Sequence, residues 1–531
     1  MLIGEALQRC ARNYPAKLAF QDEYGKHFPP GARYTYRELL DTVNRLGNSL
    51  LAIGLRQGDR VAVQTGTGTG YFLSLLALAQ AGMVIAPIDR TFMGEEIAYQ
   101  VQDSGARALI CDADIYQAKI APIRSRLGTV AYYIGVGDPS PSDYQLATLI
   151  HEGSSARPPV TVHEDDLATL IYTSGTTGRP KGTPLSHRQW TYSAVIWAGE
   201  LGIHPYTRWL LPLPLHTSGG TGLSIASVTR GCTLIVTNPD PPKILNLIAR
   251  EKITFTQFSP TLLAMVIRHP EAARTDFTSI ERWFTSAAPI SAELLAEGAR
   301  YLGEKFIQLY GTTETALLGT VLRPEEVSVE GPLAQRLTSI GRACLGYDTK
   351  VVDDDGQEVG VGGIGELAVR GEAVAQGYWN KPEATDFKDG WWYSGDLVRV
   401  DADGFYYVVD RKKDMILSGG YNVYPREVED VIASHPSVHM VAVVGVPDEK
   451  WGEAVKAVIV PRAGVQIAAD EIINFCQERM ASYKKPKSVD VIDLAEMPMS
   501  GGGYKILRRK LRDRYRQAYA AKQKGGAWGA V

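Results

Sequence analysis

Residues 168–182 read ATLIYTSGTTGRPKG, an apolar strand-like run followed at once by a turn rich in glycine, hydroxyl side chains and lysine. Its three glycines let the backbone turn tightly, and the hydroxyl and backbone N–H groups of such a turn can bind phosphate oxygens. Lys181 adds a positive charge. The stretch therefore predicts a strand that ends in a polyphosphate-binding loop, with a solvated turn as the alternative interpretation.

Two other nucleotide-binding patterns fit less well. The Walker A pattern requires glycine five residues after Gly175, where Pro180 stands, so kinase-like and motor ATPases are not predicted. A second glycine run, residues 66–70, follows an apolar strand and has Asp89 downstream, as in a nicotinamide-binding fingerprint. Tyr71 occupies the position of its last glycine. A nicotinamide-dependent oxidoreductase is therefore only a remote alternative.

The residues around the loop alternate between strand-like and helix-like patterns. A helical pattern over 36–53 is followed by a strand at 59–63, a helix at 71–81 and a strand at 83–88, and further strands are predicted at 108–111, 233–236 and 253–256. This is the pattern of mixed, largely parallel sheets packed between helices. The apolar stretch 71–88 is interrupted by Ser74, Gln80 and Gly82, which favours a buried helix and strand over a membrane span.

The pattern changes twice in the C-terminal part. After Gly341 it becomes β-rich, with hairpin signals at 353–356 and 401–404. Beyond residue 410, helices are predicted at 425–434 and 468–480 and strands at 440–444 and 454–461. The predicted fold is multi-domain α/β: a large N-terminal domain, residues 1–410, of mixed sheets between helices with a β-rich subdomain, and a small α+β domain, residues 411–531.

Charge, cysteine spacing and the N-terminal segment indicate which partners and which compartment to expect. The 531 residues are 45% hydrophobic and carry a formal net charge of -3, so neither nucleic acid nor an acidic bilayer is an expected partner. The five cysteines are far apart without a CxxC pair, and polar residues interrupt the N-terminal segment before a signal-peptide core can form. We expect a cytoplasmic protein without a transmembrane segment, and a homodimer is an open alternative.

The 172–182 loop resembles the signature of the adenylate-forming (AMP-binding) superfamily, which includes acyl-CoA synthetases, peptide-synthetase adenylation domains and luciferases. Similarity of pattern runs from residue 34 to residue 511. It implies ATP and Mg²⁺ as cofactors and an acyl adenylate as intermediate. The resemblance assigns ATP or AMP contacts to Thr173, Ser174, Gly175, Thr176, Thr177, Gly178, Lys181, Ser286, Ala287, Ala288, Tyr310, Gly311, Thr312, Asp396 and Arg411.

Three segments carry the remaining nucleotide roles in this resemblance. The turn at 286–288 is similar to the one that flanks adenine, and residues 310–314 to the segment with the adenine-stacking aromatic, a phosphate-contacting threonine and the Mg²⁺ ligand Glu314. A flat π-face suits adenine, and a carboxylate is a hard ligand for Mg²⁺. The resemblance implies that Asp396 binds the two ribose hydroxyls.

The resemblance names four catalytic candidates: Lys505, Thr313, Glu314 and His216. A fixed cation at Lys505 would stabilise the charge that develops when a carboxylate attacks the α-phosphorus. The loop before Lys505 is one residue longer than the family pattern, and Tyr504 stands where glycine is usual. His216 matches a residue that lines the acyl pocket and thiol tunnel.

The resemblance also implies that the C-terminal domain, residues 411–531, is mobile and rotates between the two steps of the reaction. Arg411 and Lys413 fall in the hinge segment, with Lys413 at the pivot, and Ser418, Gly419 and Gly420 match the loop that contacts coenzyme A after the rotation. The basic run 508–516 has apolar residues at helical spacing, which favours an amphipathic terminal helix over a nucleic-acid or anionic-lipid patch.

The predicted function is an AMP-forming carboxylic acid–CoA ligase, acting on a small-molecule fatty or aryl acid. The alternative within the superfamily is a stand-alone enzyme that loads the phosphopantetheine arm of a carrier protein.

Overall fold

The structure is a computed structural model that describes residues 1–24, 32–137, 142–173, 179–286, 288, 290–499 and 506–523. The chain divides into two compact units. The first contains Met1–Lys350 and Ala368–Tyr393, and the second contains Val351–Leu367 and Ser394–Val531.

The first unit contains a nine-stranded sheet. Its neighbouring pairs are parallel except at the two edges, where the pairing becomes antiparallel. From edge to edge the strands are Arg342–Ala343, Thr320–Leu322, Phe306–Tyr310, Arg282–Thr285, Phe255–Phe258, Arg208–Leu211, Thr233–Val236, Leu18–Asp22 and Arg33–Thr35.

A seven-stranded sheet, also in the first unit, carries the signature loop at its edge. Its pairs are parallel except for the last one. In order the strands are Tyr144–Gln145, Tyr132–Val136, Ala108–Asp112, Arg60–Gln64, Val84–Pro87, Leu167–Thr173 and Lys181–Ser186.

Helices connect these strands, and several begin at a side-chain cap. Thr35 accepts a hydrogen bond from Glu38 N, and Ser186 accepts one from Gln189 N, so each satisfies a backbone donor of the first helical turn. The α-helices of this unit are Ile3–Asn13, Tyr36–Ala52, Thr69–Gln80, Gly94–Ser104, Ala113–Ile115, Leu146–Glu152, His187–Leu201, Ser218–Arg230, Pro241–Arg250, Pro260–Ile267 and Ala292–Leu302.

The apolar stretch at 71–88 is a buried helix and strand, as predicted. Every residue of the helix Thr69–Gln80 is buried, and so is every residue of the strand Val84–Pro87. In the described part of the chain no helix has the length and apolar character needed to cross a bilayer.

One predicted strand is displaced along the chain. The expectation at 253–256 was wrong by two residues, because the strand is Phe255–Phe258. The Ile253 N–H still bonds to the Ile248 carbonyl at the end of the preceding helix, and Lys252 adopts a positive φ of 48°. Residues 252 and 253 therefore belong to the turn that follows the helix Pro241–Arg250, and the strand starts at Phe255.

The β-rich region after Gly341 is present. Its longer strands Tyr347–Val352, Ile364–Gly371 and Trp391–Val400 each run from one unit into the other, and Phe387–Lys388 and Tyr406–Arg411 complete the region. The predicted hairpin at 401–404 joins Trp391–Val400 to Tyr406–Arg411, with Val400 opposite Tyr406. The turn at 353–356 is closed by an antiparallel bridge between Val352 and Glu358.

The C-terminal part of the second unit is an α+β fold. Its sheet contains the strands Tyr421–Val423, Ile416–Ser418, Gly452–Pro461, Val438–Asp448 and Ser488–Val491. Its helices are Pro425–Ala433, Ala469–Gln477 and Arg508–Gln523. In the last helix Leu511 is buried in an apolar cluster against which Tyr515 packs, which confirms the predicted amphipathic terminal helix. These features together confirm the predicted fold class.

Candidate active site

The signature loop connects the last two strands of the seven-stranded sheet. Thr173 and Lys181 face each other as antiparallel partners at the ends of their strands. Residues Ser174, Gly175, Thr176, Thr177 and Gly178 lie outside the described residues. The fold therefore holds the two ends of the loop together, as a strand–turn–strand hairpin requires.

Glu314 lies directly beside this hairpin. It belongs to the short 3₁₀ turn Thr313–Thr315, which follows the strand Phe306–Tyr310 of the nine-stranded sheet. Thr173 Oγ1 lies 3.5 Å from Glu314 Oε1, and the Tyr378 hydroxyl donates a 3.0 Å hydrogen bond to the same oxygen. Glu314 is buried. Residues from the two large sheets thus converge at one carboxylate.

The backbone that follows the turn carrying Glu314 is strained, and the backbone before it is tightly packed. Ala316 and Leu317 adopt positive φ angles of 47° and 74°, a conformation that costs energy in non-glycine residues. Ser193 Oγ donates a 2.7 Å hydrogen bond to the Ala316 carbonyl, and a Cβ at Gly311 would lie 2.1 Å from the Leu317 carbonyl oxygen. Glycine is therefore required at position 311.

Gly311→Ala is expected to destabilise the first unit and to displace Glu314. The methyl group would collide with backbone and not with a flexible side chain, and such overpacking typically costs about 1–3 kcal/mol. Differential scanning calorimetry should show a lower Tm. Gly199→Ala is the matched control, because it lies in the helix His187–Leu201 with nothing within 4 Å of the added Cβ. That substitution should raise the Tm slightly, and equal effects of the two changes would contradict the expectation.

Lys181 is held by two neighbours that the sequence patterns did not indicate. Its Nζ lies 2.8 Å from Asp386 Oδ2 and 4.5 Å from the centroid of the Tyr378 ring. Asp386 and Tyr378 are about 200 residues away along the chain, at separations of 205 and 197, and neither belongs to a recognised spacing with the loop. Only tertiary packing shows that they belong to the site.

The adenine-flanking candidates lie at the ends of adjacent strands. Arg282–Thr285 is parallel to Phe306–Tyr310 in the nine-stranded sheet, with Thr285 opposite Gln308. Ser286 follows the first strand, and Tyr310 is the last residue of the second. Ala288 is described, whereas Ala287 lies outside the described residues. Parallel strands bring these two ends to the same sheet edge.

Thr312 has features expected of a ligand contact. Its Oγ1 atom is buried and has no hydrogen-bond partner among the residues that the structure describes. Its backbone N–H is already used, because it donates to Thr315 Oγ1 at 3.1 Å. A buried hydroxyl without a partner loses free energy unless a ligand or water bonds to it. The neighbouring Thr313 is itself buried at the start of the 3₁₀ turn.

His216 has a carboxylate partner. It lies in the segment before the helix Ser218–Arg230, and its Nε2 is 3.6 Å from Asp89 Oδ2. Burial raises the pKa of Asp89, but the interaction with His216 and two hydrogen bonds from Thr91 outweigh burial and hold that pKa well below its usual range. Asp89 therefore remains an anion beside the histidine.

In the second unit, Asp396 and Arg411 form a pair. They are opposite each other in antiparallel strands, and Arg411 Nε lies 2.9 Å from Asp396 Oδ1. Asp396 is 5% exposed, whereas the Arg411 side chain is 37% exposed. The candidate ribose-binding carboxylate is thus already oriented by the candidate phosphate-binding cation.

The candidate hinge is attached to the terminal helix. Arg512 Nη1 donates a 3.0 Å hydrogen bond to the Lys413 carbonyl and lies 2.7 Å from Asp414 Oδ1. On the preceding side, Asp410 accepts hydrogen bonds from the backbone N–H groups of Arg426 and Arg411. Burial raises the pKa of Asp410 to about 6, although these hydrogen bonds act in the opposite direction.

The predicted coenzyme A loop is a tight hairpin turn. Ser418 and Tyr421 face each other across Gly419 and Gly420, whose φ angles are 59° and 83°. Two successive positive φ angles define the type of turn for which glycine is preferred. The Gly419 N–H donates a 2.9 Å hydrogen bond to the Trp451 carbonyl, so this turn is attached to a neighbouring segment.

Lys505 lies outside the described residues, but the structure describes both of its flanks. Met499 and Ile506 form an antiparallel bridge, so the two residues that flank this segment lie next to each other. Arg508, two residues after that bridge, is paired with Glu429 of the helix Pro425–Ala433.

The glycine run at 66–70 has a structural role and not a nucleotide-binding one. Gly66 N donates to Asp112 Oδ2 and Thr69 N donates to Asp22 Oδ2, each at 2.7 Å. A Cβ at Gly68 would lie 2.4 Å from Asp22 Oδ2. Because carboxylates of the protein itself occupy these donors, they are not available to a pyrophosphate.

Comparison with known proteins identifies the family to which the chain belongs. The profile of the AMP-binding enzyme family matches residues 7–379, and that of the AMP-binding enzyme C-terminal domain matches residues 427–503. Feruloyl-CoA synthase of an Amycolatopsis species is 37% identical over 492 residues, covering 91% of this chain and 94% of the relative. Long-chain-fatty-acid–CoA ligase FadD13 of Mycobacterium tuberculosis is 34% identical over 493 residues, covering 91% and 93%.

A solved structure extends the similarity to the fold. The anthranilate CoA ligase AuaEII, in complex with anthranoyl-AMP, superposes with a TM-score of 0.87 at 27% identity, covering 98% of each chain. This chain belongs to the AMP-binding enzyme family. Within that family it is an AMP-forming enzyme of the acyl-CoA synthetase type, which confirms the class predicted from the sequence.

Proposed function

We propose that the enzyme activates a fatty or aryl carboxylic acid with ATP and transfers the acyl group to coenzyme A. In the first step a carboxylate oxygen attacks the α-phosphorus, the bond to the β-phosphate breaks, and pyrophosphate leaves. In the second step the thiol of coenzyme A attacks the acyl carbon and loses its proton to solvent. The bond from that carbon to the AMP oxygen breaks, which gives the thioester and AMP.

One observation carries this proposal: both ends of the signature loop and Glu314 lie together. Thr173 is close to the Glu314 carboxylate, and Lys181 is the antiparallel partner of Thr173. A polyphosphate in this loop would therefore meet a cation and a metal-binding carboxylate at once. Such preorganised charges stabilise the transition state of phosphoryl chemistry.

The residues present fit a Mg²⁺ ion that arrives with the nucleotide. Mg²⁺ in nucleotide sites is usually bound by one or two carboxylates together with phosphates and waters. The described residues hold no cluster of three or more His, Cys, Asp or Glu side chains able to form a metal site of their own. Glu314 would be the protein ligand, and the bound ion would neutralise charge on the leaving pyrophosphate.

The surface next to the Gly419–Gly420 turn favours coenzyme A over a carrier-protein arm. Trp451 is 38% exposed, and the Nζ atoms of Lys450 and Lys487 lie 4.7 and 5.3 Å from its ring centroid. Burial, together with the positive charges of Lys485 and Lys450, lowers the pKa of Lys487. Coenzyme A carries an adenine ring and phosphates that suit such a surface, whereas a carrier-bound phosphopantetheine lacks the adenine.

Trp451→Ala is expected to raise the KM for coenzyme A about tenfold, because stacking of a base on an aromatic ring contributes about 1–3 kcal/mol. Adenylate formation, measured as pyrophosphate release, should be unchanged. Pantetheine, which lacks the nucleotide, serves as the control acceptor, and with it the variant and the wild type should have the same KM. An equal rise with both acceptors would place Trp451 outside the nucleotide subsite.

The activity is tested by pyrophosphate release against a panel of acids. Hydroxycinnamic and benzoic acids form one arm, and aliphatic acids of increasing chain length form the other. AMP release is then measured with coenzyme A and with a phosphopantetheinylated carrier protein. Activity with at least one acid and with coenzyme A supports the proposal, whereas AMP release only with the carrier would replace it.

Several finer points belong to this proposal. The hinge at Lys413 would divide a domain of residues 1–410 from a mobile domain of residues 411–531, so that adenylation and thiol transfer use one acyl site in turn. His216 would line the acyl site with Asp89 behind it. The cytoplasmic location, the carrier-protein alternative and a homodimer stay predictions.

A further inference from the structure

Tyr378 lies between the two charged groups on which the proposed adenylation depends. Its hydroxyl donates a hydrogen bond of 3.0 Å to Glu314 Oε1. Its ring faces Lys181, whose Nζ lies 4.5 Å from the ring centroid, within the range of a cation–π interaction. The same side chain therefore contacts the carboxylate through its polar end and the cation through its aromatic face.

The backbone around Tyr378 is attached on both sides of the site. The Ala375 N–H donates a 2.7 Å hydrogen bond to the Glu314 carbonyl, and the Trp379 N–H donates a 2.8 Å hydrogen bond to the Gly182 carbonyl. The segment 375–379 thus connects the Glu314 turn to the strand that begins at Lys181. These two hydrogen bonds fix the backbone on both sides of Tyr378.

Neighbouring side chains hold the Tyr378 ring and its lysine partner in place. The ring packs edge-on against Phe387 with centroids 5.2 Å apart. Asp386, next to Phe387 in the chain, forms the ion pair with Lys181.

We propose that Tyr378 is a positioning residue for adenylate formation, whose hydroxyl orients Glu314 toward the nucleotide-bound metal while its ring holds Lys181 beside the phosphates. This rests on the function proposed above. The hydroxyl leaves the second oxygen of Glu314 for the ion, because the first accepts the hydrogen bond. The cation–π contact with the ring positions the Lys181 ammonium group and leaves it positively charged.

The two contacts are separated by Tyr378→Phe, which removes the hydroxyl and keeps the ring. The readout is the affinity for an ATP analogue with an unreactive α,β-methylene bridge, measured by calorimetry with and without Mg²⁺. Mg²⁺ increases the affinity of the wild type for the analogue by a certain factor, and in the variant this factor should be about tenfold smaller, because a hydrogen bond to a charged group is a strong one. Its affinity without Mg²⁺ should stay within about twofold of wild type. Tyr378→Leu, which also removes the ring, should weaken metal-free binding as well.

Tyr407→Phe is the matched control. The Tyr407 hydroxyl also donates a 3.0 Å hydrogen bond to a carboxylate, Asp401 Oδ2, but that carboxylate is not a metal candidate. This variant should keep the full gain from Mg²⁺. If Tyr378→Phe keeps it too, the positioning role is overturned while the proposed function stands. If the wild-type enzyme binds the analogue without any gain from Mg²⁺, the metal role of Glu314 in the proposed function fails instead.

Discussion

Lys505→Ala is expected to lower acyl-adenylate formation about 10²–10³-fold and to leave thioester formation from a supplied acyl adenylate within roughly twofold of wild type. Attack of a carboxylate on a phosphate brings two anions together, so a fixed cation stabilises the transition state more than the ground state. The thiol step breaks a carbon–oxygen bond and has no such requirement for a cation at the α-phosphate.

The helix that follows Lys505 is joined to the hinge segment and to the helix Pro425–Ala433. This helix, Arg508–Gln523, is paired with Glu429 through Arg508 and with the hinge segment through Arg512. Because Arg512 bonds to the Lys413 carbonyl, a rotation at Lys413 would act directly on this helix. We therefore expect the lysine to enter and leave the site with the rotation.

The measurement compares two half-reactions on the same enzyme. Pyrophosphate release reports the first, and thioester formation from synthetic acyl adenylate and coenzyme A reports the second. Lys510→Ala is the matched control, since this exposed lysine lies on the same terminal helix. It should leave both half-reactions unchanged. An equal loss of both half-reactions in Lys505→Ala would refute the assignment.

The parts of the fold that depend on local pattern could be predicted from the sequence. The strand Thr233–Val236 occupies the predicted residues, and the helix Tyr36–Ala52 begins at a Thr35 cap that accepts from Glu38 N. Caps, hairpin turns and apolar periodicity are properties of a few neighbouring residues. The strand at Phe255–Phe258 was misplaced because the end of a helix is set by hydrogen bonds of the backbone, which the apolar pattern does not show.

The parts of the site that depend on tertiary packing could not be predicted. Glu314 and Lys181 were found through the motifs that contain them, but Tyr378 and Asp386 belong to segments about 200 residues from the loop. They reach the site because the segment 375–379 is hydrogen-bonded to both the Glu314 turn and the Lys181 strand. No spacing in the sequence encodes this connection.

The glycine run at 66–70 shows the opposite case, in which a local pattern suggested a site that packing removes. The backbone N–H groups of this turn resemble those of a pyrophosphate-binding loop, but Asp112 and Asp22 accept hydrogen bonds from two of them. These carboxylates come from two other strands, Leu18–Asp22 and Ala108–Asp112. The same backbone geometry can therefore serve a ligand or the protein itself, and only the surrounding residues decide between them.

Glu314→Gln should have the second large effect, about a 10²–10³-fold loss of pyrophosphate release and a higher Mg²⁺ concentration for half-maximal rate. Glutamine has the shape of glutamate, and its carbonyl oxygen can still accept the hydrogen bond from Tyr378. The substitution therefore removes the negative charge and leaves the packing of the buried turn in place. Magnesium titrations of pyrophosphate release measure the change directly.

Glu325→Gln is the matched control for this second variant. Glu325 forms an exposed pair with Arg282, at 3.4 Å, and such surface pairs contribute little. Its half-reactions and magnesium dependence should match those of wild type. Because thioester formation releases no pyrophosphate, Glu314→Gln should impair that step far less than the first. If Glu314→Gln instead kept the wild-type magnesium dependence and slowed both steps alike, the buried carboxylate would be a structural group, and the metal would have to be bound elsewhere.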